Sequence, residues 1–311
     1  MKARFATALC LFAATSGVGS LARAQVAFSN SGDPNDPGVV TGFVSRSGLA
    51  APSGSLWSEV AVDAAGANSL AGVSCHSLGA GRAFRVADDC TLVATTELRS
   101  MLVFGYSTDN SMAPVNGGVV RIWSGTPDAP GSTIAFEASG PGLLLSQSAI
   151  SVFRIFSSST TPLPPVPDMS RPVWAIELAT PTTLVAGTYW IEIELTPSNP
   201  DAPLFLLPLR PTTGRSNAGW NALQRSAAGA WAPILDAAKP RSAIDAPVDL
   251  AFQLFSGFTC PGDWDGSGSP DSDDIIAFFA DWESGNGDAD GSGSTDSDDI
   301  IAFFASWDSG C

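Results

Sequence analysis

The sequence has little of the chemistry on which most enzymes depend. It contains one histidine, His76, and 15 lysine and arginine residues against 31 aspartate and glutamate residues, so the formal net charge is −16 at pH 7. A serine-histidine-acid triad would have only His76 available, and no G-x-S-x-G sequence surrounds a serine. The shortage of basic side chains also argues against nucleic acid as a partner, because proteins bind it by neutralising phosphates with lysine and arginine.

Long apolar runs are also absent. The run "IIAFFA" near the C terminus is far shorter than the roughly 20 residues that a membrane-spanning helix needs. The first 24 residues start with basic side chains, continue with a short apolar run and end in "ARA", which is typical of a secretory signal. We therefore expect a signal peptide at residues 1–24, cleaved after Ala24, and a secreted or cell-surface protein with no membrane insertion.

Four cysteines follow the predicted signal peptide: Cys75, Cys90, Cys260 and Cys311. An even number of cysteines in an exported chain favours disulfides. Four cysteines allow three pairings. Their order along the chain favours Cys75 with Cys90 and Cys260 with Cys311, because each pair brackets one candidate unit, whereas the other two pairings would tie these units together.

The chain between residues 25 and 257 has the pattern of many short strands. Runs such as "GGVVRIWSG" and "GTYWIEIELTP" alternate with turns rich in glycine, proline and serine. In the second run Ile191 and Ile193 alternate with Glu192 and Glu194, which is the period of a half-buried strand. The pattern predicts one mainly β domain, an antiparallel β-sandwich or jelly roll.

The composition changes at Cys260, where a 25-residue repeat begins. Residues 260–311 hold 13 acidic groups and no lysine or arginine. Each copy has aspartate at positions 1, 3, 9 and 12, serine at 5, glycine at 6 and a backbone carbonyl at 7, which is the spacing of an EF-hand calcium loop. The predicted ligands of two Ca²⁺ ions are Asp263, Asp265, Ser267, Ser269, Asp271 and Asp274 in the first loop and Asp288, Asp290, Ser292, Ser294, Asp296 and Asp299 in the second.

A duplicated acidic loop with no metal is the alternative interpretation of this repeat. Repulsion among so many neighbouring carboxylates would oppose folding without a cation, which favours the metal-binding interpretation. Position 12 carries aspartate instead of the longer glutamate, and position 5 is a neutral serine. We therefore expect weak binding, with dissociation constants of about 10⁻⁴ to 10⁻³ M as in extracellular modules.

An amphipathic helix is predicted after each loop. Apolar side chains recur at positions i, i+3, i+4 and i+7, which places them on one face of a helix. These side chains are Ile275, Phe278, Phe279 and Trp282 in the first repeat and Ile300, Phe303, Phe304 and Trp307 in the second. The two stripes are expected to cover each other. Ile276 and Ile301 widen them, and we expect a module this small to leave part of the widened stripe for a partner.

Two calcium loops in tandem, each followed by one helix, resemble a dockerin, and the bracketing "CPGDWDG…SGC" is similar to the GC-type dockerin of secreted bacterial proteins. The resemblance covers residues 260–311. It implies a cohesin-like receptor, which loop positions 10 and 11 and the following helix would contact. The corresponding residues are Ser272, Asp273, Ser297 and Asp298. Position 8, usually aliphatic in dockerins, is Pro270 and Thr295.

The body offers two carboxylate pairs to a glycosidase. We interpret Asp88 and Asp89 as turn residues, and Glu192 and Glu194 as part of a solvated strand face. We interpret His76 as a loop residue. Candidates for a sugar-stacking platform are Trp123, Trp174, Trp190, Trp220 and Trp231, although most aromatic side chains in a β-sandwich belong to its core.

Segments such as "FRVADDCTL" and "AGTYWIEI" resemble bacterial secreted choice-of-anchor β-sandwich domains over residues 80–256. The sequence therefore predicts an exported non-catalytic β-sandwich protein, attached to a cohesin-like receptor by a calcium-dependent dockerin-like module. The alternative is a carbohydrate-binding module or glycoside hydrolase of an extracellular polysaccharide-degrading system, with polysaccharide as a further partner.

Overall fold

The chain consists of two compact units. One spans Gln25–Gly257, which we call the body, and the other includes Phe258–Cys311, which we call the C-terminal module. The computed structural model describes residues 25–45, 48–61, 70–78, 83–107, 113–157, 169–212, 214–227, 229–237, 244–256, 262–265, 270–290, 292 and 294–309. The predicted signal peptide and the predicted Cys260–Cys311 bridge lie outside this set. In the ranges given above, no helix is long and apolar enough to span a bilayer.

The body is mainly β, as its period-2 pattern predicted. Its described strands are β1 (Gln25–Ser29), β2 (Leu56–Ala61), β3 (Val73–Ser74), β4 (Phe84–Leu92), β5 (Thr96–Ser107), β6 (Val115–Ser124), β7 (Thr133–Gly140), β8 (Leu144–Ser157), β9 (Pro172–Leu184), β10 (Gly187–Pro197), β11 (Leu204–Leu206), β12 (Leu223–Ser226), β13 (Ala232–Pro233), β14 (Leu235–Asp236), β15 (Ala246–Pro247) and β16 (Phe252–Ser256).

These strands form two large sheets and one small one. The first has eight strands in the order β1-β16-β5-β9-β8-β2, with β11 pairing with both β3 and β5. The second has the order β13-β12-β4-β10-β6-β7, and β14 pairs with β15. Strand pairing is antiparallel except between β2 and β8, which run parallel. Antiparallel pairing was predicted and is wrong at this edge, because the long stretch of chain between the two strands permits a parallel crossover.

One apolar core combines side chains from both large sheets. On β10 the side chains of Ile191, Ile193 and Leu195 are buried in it, and Trp190 and Glu192 alternate with them on the outer face of the second sheet. Each fully buried aliphatic side chain contributes about 1.5–3 kcal/mol. The strands therefore present to solvent only one face of this sheet, which carries the candidate sites of the body.

Two helices, α1 (Ser272–Glu283) and α2 (Ser297–Ser309), form the C-terminal module with the acidic loops. Helix α1 starts with a capping box, in which the side chain of Asp271 accepts the Asp273 N–H and the side chain of Asp274 accepts the Asp271 N–H. Acidic side chains in the first turn also interact favourably with the helix dipole. The acidic loop therefore helps to define where its own helix begins.

Candidate functional site

Three carboxyl groups of each repeat come together in the C-terminal module. The two triplets are Asp263, Asp265 and Asp274 in the first loop and Asp288, Asp290 and Asp299 in the second. Within each triplet, one oxygen from each of the three carboxylates lies within 4.8 Å of the other two. Oxygens that bind one Ca²⁺ at 2.3–2.6 Å are at most about 5 Å apart, so the spacing and the hard oxygen donors both fit calcium.

The backbone of the first loop fixes the position-12 carboxylate. Asp274 Oδ1 accepts the Asp265 N–H at 2.8 Å, and Asp274 Oδ2 accepts the Asp271 N–H at 2.7 Å. The side chain of Asp274 is fully buried, and Asp263 at position 1 is also buried. The first triplet is therefore assembled around a carboxylate that has little freedom to rotate.

The second loop repeats this arrangement. Asp299 Oδ1 accepts the Asp290 N–H at 3.1 Å, and Asp299 Oδ2 accepts the Asp296 N–H at 2.7 Å. Burial alone would raise the pKa of the Asp299 carboxyl. The backbone hydrogen bonds lower this pKa by a larger amount, so it lies below the ordinary value. Asp299 is thus held in the ionised form that a cation requires.

The remaining predicted ligands are not members of the triplets. Asp271 accepts the Asp273 N–H at 2.8 Å and Asp296 accepts the Asp298 N–H at 2.9 Å, each through Oδ1, as helix caps do. In the second loop Ser294 Oγ donates to Asp296 Oδ2 at 3.1 Å. Ser292 Oγ lies 3.1 Å from Ser294 Oγ. Ser267 and Ser269 lie outside the described residues.

The predicted receptor-contacting residues are all exposed. Ser272 and Asp273 form the first turn of α1, and Ser297 and Asp298 form the first turn of α2. One turn further along, Ile276 and Ile301 are each 68% exposed. These two isoleucines are the part of the widened stripe that stays exposed, because the side chains that face the other helix already fill the apolar core.

The aromatic stripe packs as predicted, but its tryptophans also contact the loops. Phe278 and Phe303 are fully buried and stack on each other. Trp282 and Trp307 each donate an indole N–H to a loop carbonyl. These contacts were not predicted from the sequence, in which their only signal is that both tryptophans recur at the 25-residue period.

In the body, Cys75 and Cys90 are buried free thiols, so the predicted bridge between them is not formed. Cys75 Sγ lies 3.3 Å from Ile193 O, and Ile193 pairs with Val86 of β4. Cys90 lies four residues beyond Val86 on the same strand. Four residues of β-strand span about 13 Å, well beyond the roughly 7 Å between Cα atoms that a disulfide can bridge.

The single histidine is part of the interior. His76 is buried, its Nδ1 lies 2.9 Å from Leu204 O, and its ring packs against Phe84 and Phe205. The interpretation of His76 as a loop residue is wrong, because it bridges to Leu195 of β10. Burial among these rings removes His76 as a base for an external substrate.

Asp88 and Asp89 lie in the middle of β4, so their interpretation as turn residues is wrong. Asp88 faces the core and is 1% exposed, whereas Asp89 lies on the opposite face of the strand. Asp88 Oδ2 accepts the Leu250 N–H at 2.7 Å and the Asn30 Nδ2–H at 2.9 Å. The strand tolerates a buried carboxyl here because these donors satisfy it.

A second buried carboxyl, Asp249, is hydrogen-bonded to the side chain of Asp88. Asp249 Oδ1 also accepts the Asn221 N–H at 2.7 Å. Burial raises the pKa of both groups. The negative charge of Asp249 raises the pKa of Asp88 further, and the negative charge of Asp89 does the same for Asp249. For Asp249 the pKa rises to about 6.

Glu192 and Glu194 are held by arginines on the outer face of the second sheet. Glu192 is only 2% exposed, and it accepts hydrogen bonds from Arg121 Nη1 at 2.8 Å, Arg85 Nη1 at 3.1 Å and Trp123 Nε1 at 2.7 Å. Glu194 Oε2 accepts the Arg85 Nε–H at 2.5 Å. The interpretation of Glu192 as a solvated residue is wrong, because these neighbours cover it.

Two of the five candidate tryptophans share one face. Trp123 of β6 and Trp190 of β10 are directly opposite each other and half-buried on the outer face of the second sheet. Trp220 is buried in the core, Trp174 packs against it, and Trp231 donates its indole N–H to Asp128 at 3.1 Å. A platform of five tryptophans is therefore excluded, and a pair remains.

Comparison of the chain with protein-family models, with curated proteins and with solved structures found no match.

Proposed function

We propose that the C-terminal module is a calcium-dependent, dockerin-like docking module that attaches an exported, non-catalytic β body to a cohesin-like receptor. The observation that carries this proposal is the pair of equivalent acidic triplets, each on a loop that caps its own helix. A duplicated site of this kind gives one small module two metal centres and two equivalent surfaces.

Calcium is the ion that best suits these triplets. Each offers three carboxylates with no lysine or arginine anywhere in residues 260–311 to compensate their charge. Bringing three carboxylates within 4.8 Å is repulsive, and a divalent cation relieves this repulsion. The binding free energy of the ions then becomes folding free energy of the module.

The exposed residues next to each triplet would form the receptor surface. Ser272, Asp273 and Ile276 combine a polar pair with an exposed apolar side chain, and Ser297, Asp298 and Ile301 repeat the combination on α2. Position 12 of each loop lies in the first turn of the same helix, so the bound ion would order this surface. Because the two surfaces are equivalent, we expect the receptor to bind in either of two orientations.

The body would serve as the cargo that the module attaches. Its two large sheets share one apolar core, which supports the β-sandwich or jelly-roll class. The carboxylates that a glycosidase would need are engaged by Arg85 and Arg121, and His76 is buried. A signal peptide at residues 1–24 would export the chain to a compartment where millimolar calcium fills weak sites.

Calcium titration of the full chain tests the metal centres. We expect two sites by calorimetry and a calcium-dependent gain of helix in the far-UV circular dichroism spectrum. Asp263→Asn and Asp288→Asn should each remove one site, and Asp308→Asn, an exposed aspartate outside both triplets, should keep both. Absence of calcium uptake at millimolar concentration, with an unchanged spectrum, would refute the proposal.

Receptor binding is tested with purified cohesin domains in calcium and in chelator. We expect binding only in calcium. Alanine at both Ser272 and Asp273 should be tolerated, as should alanine at both Ser297 and Asp298, whereas replacing all four residues should abolish binding. Equal binding in calcium and in chelator would exclude a calcium-ordered surface.

A second candidate function, carbohydrate binding by the body, is favoured by the opposed Trp123 and Trp190. Indole rings on an open sheet face can stack on sugar rings. A glycan array with the full chain tests this. Trp190→Ala should lose the glycan signal. Trp174→Phe, on the other sheet, is the control and should retain it. Absence of a signal with the native chain would exclude this function.

A further inference from the structure

Each helix of the C-terminal module ends on the loop of the other repeat. Trp282, in the last turn of α1, donates its Nε1–H to the backbone oxygen of Asp296 in the second loop at 2.9 Å. Trp307, in the last turn of α2, donates to the backbone oxygen of Asp271 in the first loop at 3.0 Å. Each loop is therefore held at its exit by the helix of the other repeat.

The carbonyl groups that accept these bonds are directly linked to the triplets. The N–H of Asp296 donates to Asp299 Oδ2 at 2.7 Å, and Asp299 belongs to the second triplet. In the first loop the N–H of Asp271 donates to Asp274 Oδ2 at the same distance. A displacement of either indole would therefore be transmitted to a carboxylate of the opposite triplet through one residue.

Two glycines bring the same helix ends against the loop entrances. A Cβ atom at Gly262 would lie 2.6 Å from the Cα of Trp307, and one at Gly287 would lie 2.6 Å from the Cα of Trp282. Each glycine directly precedes the position-1 aspartate of its loop. The end of each helix thus contacts both the entrance and the exit of the loop in the other repeat.

We infer that Trp282 and Trp307 are positioning residues for the ion in the opposite loop and that they couple the two ion sites. This inference rests on the proposed calcium function. Asp274 lies in the first turn of α1, whose last turn holds Trp282 against the second loop. Asp299 lies in the first turn of α2, whose last turn holds Trp307 against the first loop.

These contacts form a closed path that runs from the first loop through α1 to the second loop, and from there through α2 back to the first. Occupation of one loop fixes the start of its helix, which orders the indole at the other end of that helix. The second ion then binds to a loop that is already ordered, which is positive cooperativity.

A role in packing alone predicts a different outcome. Trp282 contacts the ring of Phe279 and Trp307 contacts that of Phe304, with centroids 6.5 and 6.4 Å apart. If the indoles only stabilised the aromatic core, removal of either one would weaken both loops alike. Positioning through Nε1–H predicts that each tryptophan affects only the opposite loop.

Single-site chains separate these roles. In full-length Asp288→Asn only the first loop binds calcium, and in full-length Asp263→Asn only the second does. Trp282→Phe and Trp307→Phe are added to each chain, since phenylalanine keeps an aromatic ring and removes the N–H donor. The probe is calcium chloride, followed by calorimetry and by far-UV circular dichroism to confirm that each variant regains helix at saturating calcium.

A crossed pattern is the expected result. With only the first loop active, Trp307→Phe should weaken calcium binding roughly 3- to 10-fold, the effect of one lost hydrogen bond, and Trp282→Phe should change it less than about 2-fold. With only the second loop active, the two effects should be exchanged. Equal effects of both tryptophans on a given loop, or no effect of either, would overturn the inference.

The two-site chain provides a second measurement that does not depend on the single-site variants. The native chain should bind its two ions with a Hill coefficient above 1. Either tryptophan substitution should lower this coefficient, and both together should bring it to about 1, because each tryptophan provides one of the two routes between the loops. Independent sites in a native chain that does bind two ions would overturn the coupling and leave the calcium function intact. A native chain that binds no calcium would overturn both.

Discussion

The rings of Phe278 and Phe303 lie 4.2 Å apart between centroids and within 3° of parallel, and neither is exposed to solvent. They occupy equivalent positions in the two repeats. The hydrophobic centre of the C-terminal module is therefore built from one equivalent ring of each helix, and neither repeat has this contact alone.

Phe278→Ala or Phe303→Ala should each destabilise the module by about 3–5 kcal/mol, because each removes a buried ring and leaves a cavity. The measurement is urea unfolding of the calcium-loaded full chain, followed by near-UV circular dichroism. Ile276→Ala is the matched control on the exposed face of α1, and it should change the free energy of unfolding by no more than about 0.5 kcal/mol. Equal midpoints for Phe278→Ala and Ile276→Ala would contradict the central position of the stack.

The buried carboxyls of Asp88 and Asp249 predict that the body loses stability as the pH rises. Burial raises the pKa of both groups in the folded state, that of Asp249 to about 6, whereas an unfolded aspartate titrates near 3.9. The protonated pair therefore favours the folded state below about pH 4. This stabilisation, on the order of 2 kcal/mol, should be lost as the pH rises through about 6.

Asp249→Asn tests this pH dependence, because an amide cannot ionise and can still donate a hydrogen bond to Asp88. The urea midpoint for unfolding of the body is measured at several pH values between 4.5 and 7.5. It should fall with rising pH in the native chain and change less with pH in the variant. Asp201→Asn, at an exposed site, should follow the native profile. Parallel profiles for the native chain and Asp249→Asn would show that the pair does not titrate in this range.

Cys75 and Cys90 should resist alkylation until the body unfolds. Both thiols are buried, and burial raises the pKa of Cys75 far above its ordinary value and that of Cys90 to about 12, so little reactive thiolate forms. Iodoacetamide at pH 8 without reductant should label both cysteines in denaturant and neither in the native protein, as measured by peptide mass spectrometry. A peptide cross-linking Cys75 to Cys90 would contradict the structure.

Glu192→Gln should destabilise the body by about 2–4 kcal/mol. The substitution removes the charge that pairs with Arg85 and Arg121, and it leaves these guanidinium groups without their buried partner. Glu137 bonds the same Arg121 but its side chain is 45% exposed, so Glu137→Gln should cost no more than about 1 kcal/mol. Native stability of Glu192→Gln, together with loss of a polysaccharide-hydrolysing activity, would instead identify Glu192 as a catalytic residue.

Local periodicity was sufficient to predict the kinds of element in both units. Alternation of Ile191 and Ile193 with Glu192 and Glu194 corresponds to strand β10, because side chains alternate between the two faces of any strand. The apolar spacing that starts at Ile275 corresponds to α1 for the same kind of local reason. The acidic triplets could also be predicted, because one short loop and the first turn of its helix contain all three carboxylates.

Pairings between distant segments could not be predicted in this way. Cys75 and Cys90 are near in sequence, but β4 carries Cys90 away from the position where Cys75 packs. Asp88 was predicted to occupy a turn because aspartate favours turns, and this preference depends only on neighbouring residues. The hydrogen-bond donors that allow Asp88 to be buried in a strand come from the distant Asn30 and Leu250.

The sequence by itself determined the strand and helix periods and the loop that gathers each triplet, because neighbouring residues suffice to define them. Only the tertiary structure decided that Trp282 and Trp307 each hold the loop of the other repeat. A 25-residue period shows that two units are alike, but not how they face each other. Their mutual orientation depends on the packing of Phe278 against Phe303, which is a property of the folded pair and of neither repeat alone.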